Sequence, residues 1–228
     1  LSQDKFEIAE PLIRIAYALG CRRWELLGLQ HRDIIGHEDP CLFIRDNSIR
    51  NTKTVSSNRC NSLKMCNDQA FYADFRTMLY KSPNIGTEYS IFQSIYFDIE
   101  KNHKALFIDI NKALQSACRD DKVSFHTLRH TAVCSSLLSV FWNEICNDEL
   151  LRYSYFKDID SRANKIRSIL VQPNLLNCFE HEAISMQVGH LSFDTTAEHY
   201  FHFFCLLRSA FISKVNPFPG SPSFSKIV

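Results

Sequence analysis

Hydrophobic residues recur every three or four positions through most of the chain, a spacing typical of amphipathic α-helices. Residues 4–19 carry the first such stripe, and Gly20 ends it. Pro11 either kinks this helix or begins a second segment of it. The same spacing predicts further helices in RRWELLGLQ, DQAFYADFRTMLYKS, KALFIDINKALQSACRD, HTLRHTAVCSSLLSVFW, HEAISMQVGH and AEHYFHFFCLLRSAFI. The chain is therefore predicted to be mainly helical.

One stretch, residues 41–65, lacks the helical spacing. Its sequence, CLFIRDNSIRNTKTVSSNRCNSLKM, is poor in strong helix formers and is broken repeatedly by Asn, Ser and Asp. This composition favours short strands joined by hairpin turns. We therefore predict a mainly α protein with a small antiparallel β-sheet near residues 41–65, an α+β fold class.

Two further segments stand apart from the regular pattern. The residues near 140–177 are charged and rich in tyrosine, and we interpret them as a helical insertion. The C-terminal residues 203–228 combine a strongly apolar helix face with a tail rich in Pro and Ser. That apolar face packs either on its own chain or on a neighbouring protomer, and the pattern alone does not choose between them.

The size and composition of the chain fit a single large domain. It has 228 residues, of which 45% are hydrophobic, enough to bury a substantial core. No apolar run approaches the roughly 20 residues needed to cross a bilayer. The start carries early acidic residues and no signal-peptide pattern, so we expect a cytoplasmic protein. Because the sequence begins within a helix and without Met, we also expect a longer protein around it.

The charge and cysteine content limit the chemistry that the chain can support. The formal net charge is +1, so any surface that binds nucleic acid must be local. The nine cysteines include no CxxC pair, which favours reduced thiols over a disulfide framework or a zinc site. His199 and His202 lie close together, but no carboxylate or cysteine follows at a matching spacing. We therefore expect neither a metal nor another cofactor.

A cluster of basic side chains lies in FHTLRHTAV, where His126, Arg129 and His130 fall within five positions. The HTLRHT segment resembles the HxLRHT box of the tyrosine recombinases, the phage-integrase family. A six-residue match is weak when it stands alone. Its meaning therefore depends on whether other segments of the chain match the same family in the same order.

Three other segments resemble the family in the expected order: ALGCRRWELLGLQHRDI its first-arginine box, NTKTVSSNRCNSL its lysine-bearing hairpin, and VGHLSFDTTAEHY its box leading to the nucleophilic tyrosine. IFQS, at residues 91–94, matches a landmark that often precedes the HxLRH helix. The resemblance covers roughly residues 5–205, apart from the stretch around 140–177. It implies a tyrosine-recombinase catalytic-domain fold over residues 1–228, with the N-terminal core-binding domain absent from this chain.

The resemblance also implies a catalytic set. Two arginines would bind the phosphate, a lysine on the hairpin would protonate the leaving group, two histidines would assist, and a tyrosine would attack. The residues at those positions are Arg22, Lys53, His126, Arg129, His190 and Tyr200.

Some neighbouring residues compete for these roles. Arg23 adjoins Arg22, but the Gly-x-Arg spacing of the family favours Arg22. Lys64 is an alternative to Lys53. Glu25 and Asp33 are expected to support the site, and His130 to pack behind it.

The proposed chemistry explains why these residue types would be needed together. A tyrosine has a pKa of about 10, so its phenol needs a base or nearby cations to attack a phosphodiester. His126 could accept the phenol proton or position the phosphate. Two guanidiniums can bind the charged phosphate oxygens, and a lysine can protonate the departing 5′-oxygen. The resulting 3′-phosphotyrosyl bond can be reversed by the 5′-hydroxyl of another strand.

The chain departs from compact members of the family in two spacings. Tyr200 follows His190 by ten residues, one more than the commonest spacing, although it is the only tyrosine after His190. The segment between Arg129 and His190 is also long, as the insertion near 140–177 implies.

The resemblance therefore predicts a site-specific DNA recombinase or integrase that binds double-stranded DNA as a homo-tetramer, with accessory DNA-bending proteins as further partners. Integration or excision of a mobile element is the first expectation, in a bacterial or phage nucleoid, and resolution of chromosome or plasmid dimers is the second. The alternatives are a catalytically inactive DNA-binding regulator of the same fold and a type IB topoisomerase-like enzyme. We expect no membrane partner.

Overall fold

The computed structural model describes residues 3–36, 40–51, 58–66, 69–81, 88–93, 98–148, 150–170, 180–190 and 192–200. In this part of the chain, short 3₁₀ turns link a small sheet to the helices that surround it. The elements are α1 (Gln3–Leu19), α2 (Arg23–Leu27), β1 (Ile34–Ile35), β2 (Cys41–Ile44), β3 (Arg59–Ser62), α3 (Gln69–Lys81), α4 (Ile99–Cys118), α5 (Phe125–Val140), α6 (Trp142–Ile145), α7 (Ser154–Leu170), α8 (Glu180–Val188) and α9 (Phe193–Tyr200).

The sheet is antiparallel, with the strand order β1-β2-β3. Leu42 of β2 pairs with Ile34 on one side and with Asn61 on the other. Leu42 and Ile44 are fully buried, whereas Cys41 and Phe43, which alternate with them, are only partly so, as a strand with one face on the core requires. The predicted α+β class, with a small antiparallel sheet, is confirmed. Lys53 lies outside the described residues.

Helix α1 runs through Pro11 as a single helix, and its apolar stripe enters the core. It packs along α5 and ends at Gly20, as predicted. Gly20 has a φ of 65°, in the left-handed region where glycine carries no steric penalty. A Cβ atom there would lie 3.4 Å from Cγ1 of Val188 and 3.5 Å from the Cβ atom of Ala132. Gly20 therefore turns the chain where α1, α5 and the end of α8 meet.

Helix α5 is the central helix of the described fold, with α1 and α7 packed along it. Burial extends around the helix, so it has no single apolar face and even its serines are inside. Ser139 donates a hydrogen bond to the carbonyl of Ser135 (2.8 Å), and the Ser135 hydroxyl lies 3.1 Å from that of Tyr155. These bonds satisfy the polar groups that the packing removes from water.

Helix α7 lies within the segment interpreted as an insertion, and it belongs to the core. Ile159, Ala163 and Ile166 are buried, and the ring nitrogen of Trp142 donates a hydrogen bond to Asp160 (2.7 Å). The segment therefore packs against α5, the helix that carries the HTLRHT residues.

The predicted C-terminal segment 203–228 lies outside the described residues, so the choice between packing on its own chain and on a neighbour stays open. In the portion of the chain that the structure describes, no helix has both the length and the apolar character needed to cross a membrane.

If α7 is part of the core, truncating its buried face should destabilise the whole protein. We expect Ile159→Ala to lower the free energy of unfolding by about 2–5 kcal/mol, because it deletes a fully buried side chain. Urea denaturation followed by circular dichroism measures this change. Lys157→Ala, on the exposed face of the same helix, is the matched control and should change stability by less than about 0.5 kcal/mol. Equal, small effects for both variants would show that α7 is peripheral.

Candidate active site

The start of α5 fixes the positions of the HTLRHT side chains. The amide of Phe125 donates to the side-chain oxygen of Asn111 on α4 (2.8 Å), and the amide of Ser124 donates to the Thr127 hydroxyl (3.1 Å). The Phe125 ring packs edge-on against Phe107, with the centroids 4.8 Å apart. Because residues three apart share one side of a helix, His126 and Arg129 project from the same region of this anchored first turn.

The Arg129 side chain is only 1% exposed, and its guanidinium joins four elements of the fold. Its Nε donates to the Tyr200 hydroxyl (3.2 Å), and its Nη2 donates to the Val188 carbonyl (2.7 Å). Its Nη1 donates to the Gly20 carbonyl. None of these partners carries a negative charge, so the guanidinium keeps its charge available for an anion. Burial first, and then the nearby Arg22, lower the pKa of Arg129, while Tyr200 opposes the shift.

Tyr200 ends helix α9 and is 6% exposed. Its ring lies 4.7 Å from that of His130 and 5.5 Å from that of His190, measured between centroids. Its carbonyl accepts a hydrogen bond from the thiol of Cys134 on α5 (3.1 Å). The ten-residue spacing from His190 therefore still brings the phenol oxygen to Arg129.

His190 lies beyond the end of α8, where Gly189 turns the chain with a φ of 74°. A chain of hydrogen bonds fixes which ring nitrogen carries the proton. The Thr196 hydroxyl donates to Ser185 (2.8 Å), so it accepts from Nδ1 of His190 (2.9 Å), and Nε2 accepts from Nη2 of Arg129 (3.3 Å). Burial, followed by the charge of Arg129, lowers the pKa of His190 to about 4. The imidazole is therefore neutral at pH 7, with its proton on Nδ1.

Arg22 precedes α2 and is held by Glu25, whose carboxylate accepts from both the Arg22 amide (2.6 Å) and its guanidinium (2.8 Å). Glu25 also accepts two bonds from Arg59 on β3, at 2.7 and 3.1 Å. Burial raises the pKa of Glu25, but the bonds from Arg59 and Arg22 outweigh it and bring the pKa to about 2. A carboxylate that is ionised at neutral pH thus orients Arg22, whose side chain remains 32% exposed.

Asp33, the second carboxylate expected to support the site, pairs with other arginines. It accepts from Arg45 (2.9 Å) and from the main-chain amide of Gln30 (3.1 Å), and Arg50 lies 3.5 Å away. Arg50 also donates to the Glu25 carbonyl at 2.6 Å. These bonds tie the segment after α2 to β2, so both carboxylates expected to support the site do contact basic residues around it.

A cavity of about 500 Å³ opens beside these residues. Arg22, His126 and Arg129 line it, together with an aromatic side formed by Trp24 and Phe107. Burial, and then Arg129 and Arg22, lower the pKa of His126, which favours the neutral imidazole. The cavity thus combines two guanidiniums with a neutral imidazole, a set suited to an anionic ligand that exchanges protons.

The structure brings together five of the six residues expected to be catalytic. Arg129, His190 and Tyr200 are in direct contact, and Arg22 and His126 share the cavity with Arg129. Lys53 lies outside the described residues, so its assignment stays a prediction. The alternative Lys64 is exposed in the 3₁₀ turn after β3, Leu63–Cys66.

Other residues of the site were not found from the sequence. Arg50 and Arg59 come from the strand region, where an arginine usually faces solvent, and only the fold shows that they pair with acids. Thr196 and Ser185 belong to segments that the resemblance covers, but no pattern indicated their bonds to His190. Among the described residues, no group of three His, Cys, Asp or Glu side chains could hold a metal ion.

Comparisons with protein-family models, with curated proteins and with solved structures found no match to this chain. The site therefore has to be interpreted from its own geometry and from the sequence motifs that led to it. The decisive geometric feature is the contact between the Tyr200 phenol and the buried guanidinium of Arg129, a residue that lines the cavity.

The paired state of Glu25 predicts how stability depends on pH. Its pKa is lowered on folding from 4.5 to about 2, so its contribution is complete above pH 4.5 and is lost as the pH falls towards 2. We expect Glu25→Gln to cost about 3 kcal/mol at pH 7 and to flatten the stability profile across that window. Urea denaturation between pH 2 and pH 7 checks this. Glu144→Gln, an exposed carboxylate on α6, should leave the profile unchanged, and so identical profiles for both variants would contradict the role given to Glu25.

Proposed function

We propose that this chain is the catalytic domain of a tyrosine site-specific DNA recombinase. It would cleave and rejoin DNA through a covalent 3′-phosphotyrosyl intermediate. The observation that supports this most strongly is the 3.2 Å contact between Nε of Arg129 and the Tyr200 hydroxyl, beside a cavity that Arg22, His126 and Arg129 line. The order of the four sequence motifs supports the same conclusion.

Tyr200 is the proposed nucleophile. A phenol of ordinary pKa is almost wholly protonated at neutral pH, and a guanidinium within hydrogen-bonding distance stabilises the phenolate that must form. His130 and His190 flank the phenol ring, while His126 lines the cavity. This arrangement favours His126 as the imidazole that meets the phosphate. Because Tyr200 is 6% exposed, attack requires the phenol to reach the cavity side of Arg129.

The cavity suits a phosphodiester. Arg22 lowers the pKa of Arg129, which means that the fold holds two positive charges close together. An anion bound between them relieves that repulsion, so binding energy is directed at the phosphate. Two planar guanidiniums can hold the non-bridging oxygens as negative charge accumulates on them in the transition state.

The reaction conserves the phosphodiester bond energy. Attack by the Tyr200 oxygen, whose proton would pass to His126, forms a bond to the 3′-phosphate and breaks the bond to the 5′-oxygen, which takes up a proton. By the resemblance, Lys53 would supply that proton. Attack by a 5′-hydroxyl from another strand reverses the step and exchanges strands. The chain would bind double-stranded DNA as a homo-tetramer, with DNA-bending accessory proteins as further partners. The reaction would take place in the cytoplasmic nucleoid of a bacterium or phage host. Movement of a mobile element is the proposed role.

Covalent catalysis by Tyr200 predicts a protein–DNA adduct. The chain is mixed with nicked duplexes that span the junctions of the DNA element encoding it, and adducts resistant to SDS are separated on a denaturing gel. We expect an adduct from the unmodified chain and none from Tyr200→Phe, which lacks the attacking oxygen. Tyr155→Phe removes another hydroxyl, the one bonded to Ser135, and should keep the adduct.

Three results would count against the proposal. An adduct that survives Tyr200→Phe would identify another nucleophile. Specific binding of the junction DNA without any adduct would indicate a DNA-binding regulator. Relaxation of a supercoiled plasmid that lacks the junctions would instead indicate a topoisomerase.

The role of Arg22 predicts a rate effect without a large loss of stability. Arg22→Gln should slow adduct formation by about 100- to 1000-fold, because it removes a cation from the charged transition state. Arg32→Gln, an exposed arginine in a surface ion pair with Glu88, is the control and should change the rate by less than about twofold. Single-turnover time courses measure both. Equal rates for the two variants would show that Arg22 does not act on the phosphate.

A further inference from the structure

We propose that Trp24 and Arg23 form a stacking site for an unpaired DNA base next to the phosphate held by Arg22 and Arg129. This inference rests on the proposed function and extends it, because it names a group of the substrate other than the reacting phosphate. The site would position the strand at the point of cleavage.

Trp24 is far more exposed than the other tryptophan of the chain. It is 51% exposed at the start of α2, whereas Trp142, the other tryptophan, is 3% exposed and bonded to Asp160. The indole is nevertheless held by its neighbours. The Arg23 guanidinium lies 5.3 Å from its centroid, and the His103 ring lies 4.9 Å away. An indole that its neighbours hold in place while half of its surface stays exposed can receive a flat ligand on the open part of the ring.

Arg23 links the Trp24 indole to a buried aromatic ring of the cavity. Its guanidinium also lies 5.3 Å from the centroid of the buried Phe107, so it bridges two rings. Cation–π contacts of this kind fix the plane of the guanidinium and leave its charge beside the indole. A base stacked on Trp24 would therefore have the Arg23 guanidinium beside it, close to the phosphates of the same strand.

The cavity that Trp24 lines is the one proposed to hold the phosphate. Trp24 follows Arg22 by two residues, and both side chains border the same space of about 500 Å³. This volume falls within the range of about 300–1,000 Å³ found for pockets that bind small ligands. Guanidiniums that bind a phosphate, beside an aromatic ring that can stack on a base, form the combination used to bind single-stranded nucleic acid.

The ligand is inferred to be a nucleotide because the cavity combines aromatic side chains with an excess of positive charge. Arg22, Arg23, Arg50 and Arg129 line it against one acid, Glu25, so a basic peptide would be disfavoured there. A base within a duplex presents only its edges, so the stacked base must be unpaired. Strand exchange itself separates bases beside the cut, so such a base would be present during the proposed reaction.

Tryptophan fluorescence tests the stacking directly, because the chain has only two tryptophans. The full chain is titrated at low salt with a short oligothymidylate and with an abasic strand of the same length. We expect the oligothymidylate to quench the indole emission and the abasic strand to bind with little quenching. In Trp24→Phe, the remaining emission comes from the buried Trp142 and should not respond to either strand.

The affinity for labelled strands, measured by anisotropy, provides a second readout. Trp24→Ala should weaken oligothymidylate binding by about 5- to 150-fold, the range that loss of one stacked base implies. Trp24→Phe, which keeps an aromatic face, should recover most of that loss. Phe6→Ala removes another half-exposed aromatic, on α1 and away from the cavity, and should have less than about a twofold effect. Circular dichroism checks that each variant is folded.

Three outcomes would overturn the inference: equal quenching by the abasic strand, an unchanged affinity in Trp24→Ala, or a lack of binding by the oligothymidylate. Each can be separated from the proposed function. If Tyr200 forms its adduct on junction DNA but Trp24→Ala behaves like the unmodified chain, the stacking site fails and the recombinase proposal stands. If base-dependent quenching occurs and no adduct forms, the stacking site stands and the recombinase proposal fails.

Discussion

The hydrogen bonds of the Arg129 guanidinium are the interaction on which the site depends. This one side chain on α5 contacts the chain after α1 through the Gly20 carbonyl, the end of α8 through the Val188 carbonyl, and α9 through the Tyr200 hydroxyl. A buried guanidinium has five donors, and leaving several of them unpaired would be costly. The same bonds that make its burial tolerable also assemble four elements around one phenol, so the stability of the fold and the geometry of the site have a common origin.

The distribution of charge around the site follows a similar logic. The carboxylate of Glu25 pairs with Arg59, and that of Asp33 pairs with Arg45. These pairs neutralise the two acids and connect the strand region to the segment around α2. Within the described residues, the hydrogen-bond partners of Arg129 are neutral groups, and Arg22 and Arg59 both bind the Glu25 carboxylate. Positive charge therefore remains at the cavity wall, although the formal net charge of the whole chain is only +1. Local arrangement, and not total charge, is what suits the site to an anion.

Much of the fold could be predicted from residue spacing, because most helices here bury one face. The spacing predicts the apolar stripe of α1, the end of that helix at Gly20 and the break in the helical pattern at the sheet. Helix α5 is buried on several sides, so no spacing indicates which of its residues face Tyr200. Glu25, which pairs with Arg59, lies 34 residues earlier in the chain, in α2, and only the three-dimensional structure pairs the two. Lys53 was proposed from resemblance alone, and that assignment stays a prediction.

The central claim is that the phenol held by Arg129 becomes covalently bound to DNA. Mass spectrometry of the adduct tests this most directly, after nuclease and protease digestion reduce it to a peptide that carries a short nucleotide remnant. Fragmentation that places a 3′-linked nucleotide on Tyr200 is the result that the structure and the motifs predict. A remnant on any other residue would contradict the claim, and so would a chain that binds junction DNA specifically and yields no modified peptide.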